Sequence, residues 1–198
     1  MIGAVVIAAG ASYRMRSPKA LLNIGDKTFL QHIIDVLRSA GIDETVVVLG
    51  AEAENIKHTL SWFDGRVVVN GEWEQGQLTS INAGLGALLK DGLEAAIVCP
   101  VDHPLISNRL IVGLLAAFRE SKRRIVLPVF QGHRGHPVLF SSDVFEELRN
   151  ADVSVGAREV VRNHPKDVYE MVTDEEGVAI NIDTPEDYEA KIANRLVK

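Results

Sequence analysis

Short unbroken apolar runs alternate along the chain with stretches of amphipathic spacing. Residues 4–9, with Val5-Val6-Ile7-Ala8-Ala9 at their heart, are apolar at every position and end at Gly10. Such a run predicts a strand covered on both faces, since a half-exposed strand would alternate with polar residues. Residues 45–49, 66–69, 95–99, 125–127 and 137–140 are further short runs, β-branched or apolar at most positions, that predict strands, and 178–182 is strand-like. Between them, residues 28–40 set Phe29, Ile33, Val36 and Leu37 at helical spacing and stop at Gly41. Residues 51–60, 79–89 and 105–120 predict three more helices, and glycine-rich 131–135 separates two of the strands. Two-sided strands alternating with helices predict an α/β fold, a Rossmann-like three-layer α/β/α arrangement around a mostly parallel sheet. Ligands in such folds gather at the carboxyl ends of the strands. With no repeat or low-complexity linker, a single domain over 1–198 is expected.

Composition narrows the function. The 198 residues are 46% hydrophobic and 24% charged, ordinary values for a globular protein, with a net charge of −6. No basic footprint argues for nucleic acid, so a bound polyanion has to be gripped by local loops. The lone cysteine, Cys99, lies inside an apolar run, where it reads as core filler, and a single thiol points to a reducing compartment. The first residues lack a basic leader and no apolar stretch reaches membrane length, so a cytoplasmic protein with no membrane partner is expected.

The most informative segment follows the first strand: Ala8-Ala9-Gly10-Ala11-Ser12-Tyr13-Arg14-Met15-Arg16-Ser17-Pro18-Lys19. Small residues let the backbone approach a ligand and aim several N–H groups at it. Arg14 can fork onto phosphate oxygens, Lys19 adds a movable charge, and Ser12 and Ser17 add hydroxyls. This is phosphate-binding chemistry, but not a Walker A loop, because no glycine precedes Lys19 and Ala20 follows it. A dinucleotide G-x-G-x-x-G is also absent after this strand.

Two carboxylates stand near predicted strand ends. Asp102, in Val101-Asp102-His103-Pro104, is placed to hold Mg²⁺ beside a phosphate loop, although aspartate is also a common turn residue. Asp183 precedes Thr184-Pro185-Glu186-Asp187, whose residues are explained as a helix start with Thr184 as cap. Asp183 needs a different explanation, as a site residue or as an exposed loop acid. Thr79 or Ser80 reads locally as the cap of the helix that follows the third strand, and Trp73 as a packing anchor. His133 and His136 lack further ligands at zinc spacing.

The first loop resembles the L-A-A-G-x-S-x-R-M-G-x-x-K signature of the MobA-like nucleotidyltransferases, especially the molybdenum cofactor cytidylyltransferases. Ile7 stands for the leading leucine and Arg16 for the second glycine. The D-x-P at Asp102, the G-H-P at Gly135-His136-Pro137 and the D-T-P-E-D-Y at Asp183 fit the same family in order and spacing, with Asn181 where it has an additional aspartate. The resemblance implies a nucleotide-diphospho-sugar transferase-like fold and a Mg²⁺- or Mn²⁺-dependent cytidylyl transfer from CTP to molybdopterin, releasing pyrophosphate. It implies that Arg14, Lys19, Asp102 and Asp183 are catalytic, the two aspartates holding metal. It implies that Ala8, Ala9, Gly10, Ser12, Arg14, Lys19, Gly76 and Ser80 bind the nucleotide. Arg134 and His136 fall to the acceptor, with Arg158 of a G-A-R stretch open between a site and an ion-pair role. Ala9 points to cytidine, since guanylyl-transferring relatives carry glycine there. A molybdenum hydroxylase or its chaperone is the implied partner. Transfer to a sugar phosphate or phospholactate-type acceptor, or a non-catalytic accessory role for such a hydroxylase, remain the alternatives.

Overall fold

The computed structural model describes residues 1–42, 44–88 and 92–193. β1 (Ile2–Ala8), β4 (Thr45–Leu49), β5 (Arg66–Val69) and β6 (Ala95–Pro100) form a parallel set, with β1 hydrogen-bonded to both β4 and β6. β7 (Ile125–Phe130), β8 (His133–Arg134), β9 (Val138–Ser141) and β10 (Val168–Val172) extend it. The sheet runs β10-β7-β9-β6-β1-β4-β5, with β8 paired to β7. It is mostly parallel but mixed, because β9 lies antiparallel between β6 and β7. A small hairpin, β2 (Asn23–Ile24) with β3 (Lys27–Thr28), stands apart.

Both faces of the inner strands are covered, which is why β1, β4 and β6 read as continuous apolar runs. β5 and β10 lie at the sheet edges and are largely half-buried or exposed, so 66–69 is not the two-sided strand its sequence predicts. On β1, Ala4, Val6 and Ala8 join one core cluster, and Val5, Ile7 and the following Ala9 join the other. The first cluster takes α1 (Phe29–Ser39), α2 (Ala53–His58) and α4 (Asn108–Ser121). The second takes α3 (Gln77–Leu88), α5 (Phe145–Asn150) and α6 (Arg158–Asn163). Each fully buried Ile, Leu or Phe, such as Phe29, Ile33 or Leu85, contributes about 1.5–3 kcal/mol relative to exposure. α1 starts where its sequence predicts, at a capping box between Thr28 and Gln31, and stops before Gly41 at φ 86°.

Some elements differ from the sequence-based expectation. α4 begins at Asn108 rather than 105, because the Ser107 side chain accepts from the Leu110 N–H and makes Ser107 the cap. Residues 178–182 are no strand: a 3₁₀ turn, Glu176–Ala179, precedes an irregular segment. Val178 and Ile182 are apolar because they are buried in the core, not because they pair in a sheet. α3 begins at Gln77, so Thr79 and Ser80 lie inside it and cap nothing; Leu89, the end of that predicted helix, lies outside the described residues. Among the described residues no helix is long and apolar enough to cross a membrane.

From β1 the chain moves outward through β4 and β5, then returns to place β6 on the other flank of β1. The carboxyl ends of β1 and β6 therefore flank a topological switch point, where loops diverge and leave a crevice.

Candidate nucleotide-binding and transfer site

The loop after β1 folds back on itself by local bonds. The Arg16 N–H donates to the Ser12 carbonyl at 3.0 Å, and the Lys19 N–H donates to Ser12 Oγ at 3.3 Å. Met15, buried in the core, pins the middle of the loop. Ser12 and Arg16 both adopt left-handed backbone, at φ 52° and 58°. That explains the family's glycine at the second position: a non-glycine side chain there is strained by about 1 kcal/mol or more. Arg16 accepts that strain, and Ser12 uses its hydroxyl to hold the turn.

The result brings opposite ends of the chain together. Lys19 Nζ lies 2.5 Å from Asp183 Oδ1 and 3.6 Å from Asp102 Oδ2, and Arg14 reaches Asp183 Oδ2 at 3.0 Å. Asn181 donates its Nδ2 to Asp183 Oδ2 at 2.7 Å, so the departure from the family aspartate supplies a hydrogen bond where a third acid would repel. The Thr184 cap anchors the far side: its hydroxyl accepts from the Asp187 N–H, and Asp187 accepts from the Asp183 and Thr184 N–H groups. The Ile182 N–H donates to the Asp102 carbonyl at 2.8 Å, tying the two acidic segments by backbone. Burial alone would raise the Asp183 carboxyl, but Lys19 and Arg14 outweigh it and hold the group below its ordinary range.

These groups line a cavity of about 400 Å³ that also contains Ala8, Ala9, Gly10, Ser12 and Ser80. Trp73 forms one wall and is indeed a packing anchor. A Cβ on Gly50 would lie 2.8 Å from the Trp73 Cβ and 2.4 Å from the Ala9 carbonyl oxygen, so only glycine admits the indole this close. The carboxylates of Asp102 and Asp183 share one ammonium, and so form a pair suited to a hard cation. Among the described residues no group of three or more His, Cys, Asp or Glu side chains converges as a metal cage. Two carboxylates with the remaining positions left to water and phosphate is the usual Mg²⁺ arrangement, which the pair fits.

A second cavity, of about 600 Å³, opens on the β7–β9 side of α3. It holds Arg134, His136, Arg158 and Arg162 over an apolar floor that includes Leu127, Val138 and Phe140. Gln77, the first residue of α3, lines both cavities, so they meet there. The structure places Gly76 on the second cavity, not the first: at φ 126° it ends the 3₁₀ turn Trp73–Gln75 and faces Val153. Arg134 is held by Glu170 at 2.7 Å, whereas Arg158 and Arg162 have no ion-pair partner among the described residues. The rings of His136 and His103 lie 4.6 Å apart, and each has an Nδ1 without a partner. Burial, reinforced by His103, pushes His136 down to about 4, and burial also lowers His103. Gln77, His103 and Arg162 escaped the sequence reading. Only Arg162 carried a signal, four residues after Arg158 and so on the same helical face.

Comparison with known proteins bears on the family and the fold. Residues 4–168 match the model of the MobA-like NTP transferase domain. A probable molybdenum cofactor guanylyltransferase of Mycobacterium avium is 29% identical over 96% of this chain and 94% of its own length. The nicotine blue oxidoreductase of Paenarthrobacter nicotinovorans is 29% identical over 92% of each chain. Among solved structures, Rv0371c from Mycobacterium tuberculosis superposes with a TM-score of 0.83 at 27% identity, covering 97% of each chain. The same protein has been solved in complex with manganese, with a TM-score of 0.79 at 26% identity, over 97% of this chain and 98% of that one.

Proposed function

The chain belongs to the MobA-like NTP transferase family, and from that premise we propose that it moves a cytidylyl group from CTP to the terminal phosphate of a molybdopterin-type acceptor. The observation that carries this reading is the convergence of Lys19, Arg14, Asp102 and Asp183 at the ends of β1 and β6. An acceptor phosphate oxygen attacks the α-phosphorus, the bond from that phosphorus to the bridging oxygen breaks, and pyrophosphate leaves. Lys19 and Arg14 neutralise the triphosphate and the charge growing on pyrophosphate, while the backbone of Ala8, Ala9, Gly10 and Ser12 positions it. A phosphate nucleophile is already ionised near neutral pH, so no general base is needed. Asp102 and Asp183 would hold Mg²⁺ or Mn²⁺, which withdraws charge from the reacting phosphate when bound.

The second cavity fits the acceptor. An apolar floor beneath Arg134, Arg158, Arg162 and a neutral His136 suits a flat heterocycle ending in phosphate. The relative from Mycobacterium avium is named for guanylyl transfer, so the base rests on Ala9. Ala9 lines the cavity, and the resemblance associates alanine at this position with CTP and glycine with guanylyl transfer. The product is a CMP-linked dinucleotide cofactor, passed on to a molybdenum hydroxylase or its chaperone. Competition binding with CTP and GTP in Mn²⁺ tests the base: CTP is expected to displace GTP, and tighter GTP binding overturns the cytidylyl assignment.

A further inference from the structure

Asn70, directly after β5, is a buried polar side chain at 7% exposure whose orientation is fixed from three directions. Its Oδ1 accepts the Glu72 N–H at 2.9 Å, so its Nδ2 is the end facing α3. Nδ2 donates to Thr79 Oγ1 at 2.8 Å and to Ser80 Oγ at 3.0 Å. The Thr79 hydroxyl proton is taken by backbone, with the Glu72 carbonyl at 3.0 Å and the Gly76 carbonyl at 2.9 Å. Ser80 differs. It is 1% exposed, receives the Asn70 N–H, and among the described residues no group accepts its own proton. Its place is the wall of the first cavity.

A hydroxyl whose oxygen already accepts one hydrogen bond, beside a fixed amide, is committed to donating into the space it faces. We infer that Asn70 is a positioning residue that sets the polarity of Ser80, so that the cavity selects a nucleobase presenting an acceptor atom, a ring nitrogen or carbonyl oxygen, at Ser80. The inference rests on the first cavity being the nucleotide site. For CTP the edge formed by cytosine N3 and O2 is of this kind. A site built to donate leaves a buried hydroxyl unmatched against a base that offers a donor there, which is a strong form of rejection.

Asn70→Asp is nearly isosteric and reverses the polarity. The carboxylate still accepts from the Glu72 N–H but now takes the Ser80 proton, leaving Ser80 to face the cavity as an acceptor. Binding is read by calorimetry for each nucleoside triphosphate, with inorganic tripolyphosphate as a probe of the phosphate grip alone. The nucleotide bound most tightly by the wild type is expected to lose about tenfold or more in affinity. Tripolyphosphate binding is expected to hold. Asn70→Ala, which frees Ser80 to rotate, is expected to lose less than the isosteric Asp, the reverse of the order that packing alone would give. Ser80→Ala, a small change inside a helix, is expected to lose a similar amount and to make Asn70→Asp add little in the double variant. Equal losses for nucleotide and tripolyphosphate, a larger loss for Ala than Asp, additive losses, or full nucleotide affinity in Ser80→Ala each overturn the inference. Because the reference is whichever nucleotide the wild type prefers, a preference for GTP refutes the cytidylyl assignment and leaves this test intact. A wild type that binds none of them refutes both.

Discussion

The cavity at the end of β1 draws most of its groups from one contiguous loop, while the cavity beside α6 collects its arginines from a hairpin strand and a late helix. Their charges differ as well. In the first cavity every cation named faces a carboxylate: Lys19 lies between Asp102 and Asp183, and Arg14 holds Asp183. In the second, Arg134 is tied to Glu170, but Arg158 and Arg162 face no acid among the described residues. Interleaved acids and cations suit a metal-bound triphosphate, where both signs are engaged. Unopposed guanidiniums suit a bare anion. A transfer enzyme needs one site of each kind, side by side, and Gln77 marks where they meet.

The largest expected effect removes the acids from the first cavity. Asp102→Ala should cut turnover at least roughly a hundredfold while the thermal melt stays near that of the wild type; a folded variant with normal turnover would remove the metal assignment. Next, Arg158→Ala and Arg162→Ala should each raise the acceptor KM about tenfold, from loss of a charged hydrogen bond. The nucleotide KM should hold. If the nucleotide KM rises instead, the division of labour between the cavities is wrong.

A smaller effect separates the cavities by pH. His136 titrates near 4 in the folded chain, below its value of about 6.5 in the unfolded one. The unfolded state therefore binds more protons between these limits, and the stability from a neutral His136 is present above about 6.5 and lost as pH falls toward 4. His136→Gln should flatten that part of the melting curve against pH; an unchanged slope would mean other groups set it. Least of all, Arg16→Gly relieves a left-handed residue at φ 58° but gives the unfolded chain more freedom. The two effects oppose, so stability should shift by no more than about 1 kcal/mol, with nucleotide affinity preserved.

The same contrast explains what was legible in the sequence. The first loop is continuous, so Gly10, Arg14 and Lys19 announce phosphate chemistry within a dozen residues, and two-sided strands announce the sheet. That Asp183 joins Asp102 is a tertiary fact. The residues are far apart, and the backbone bond from Ile182 to Asp102 that unites them has no local signature. The run 178–182 misled because apolar content reports burial, and here Val178 and Ile182 are buried in a segment without sheet pairing. α5 and α6 are six residues each and mostly polar, and β10 is a five-residue edge strand interrupted by Glu170, so periodicity gave little to find. The free charge of Arg158 and Arg162 shows only once the acids are seen to lie elsewhere.

The most direct measurement supplies molybdopterin and a divalent metal and follows pyrophosphate release from each nucleoside triphosphate in turn. Adjacent nucleotide and acceptor cavities predict release that depends on the acceptor, is fastest with CTP, and matches the dinucleotide cofactor formed one for one. No release from any triphosphate with molybdopterin and metal present would contradict it.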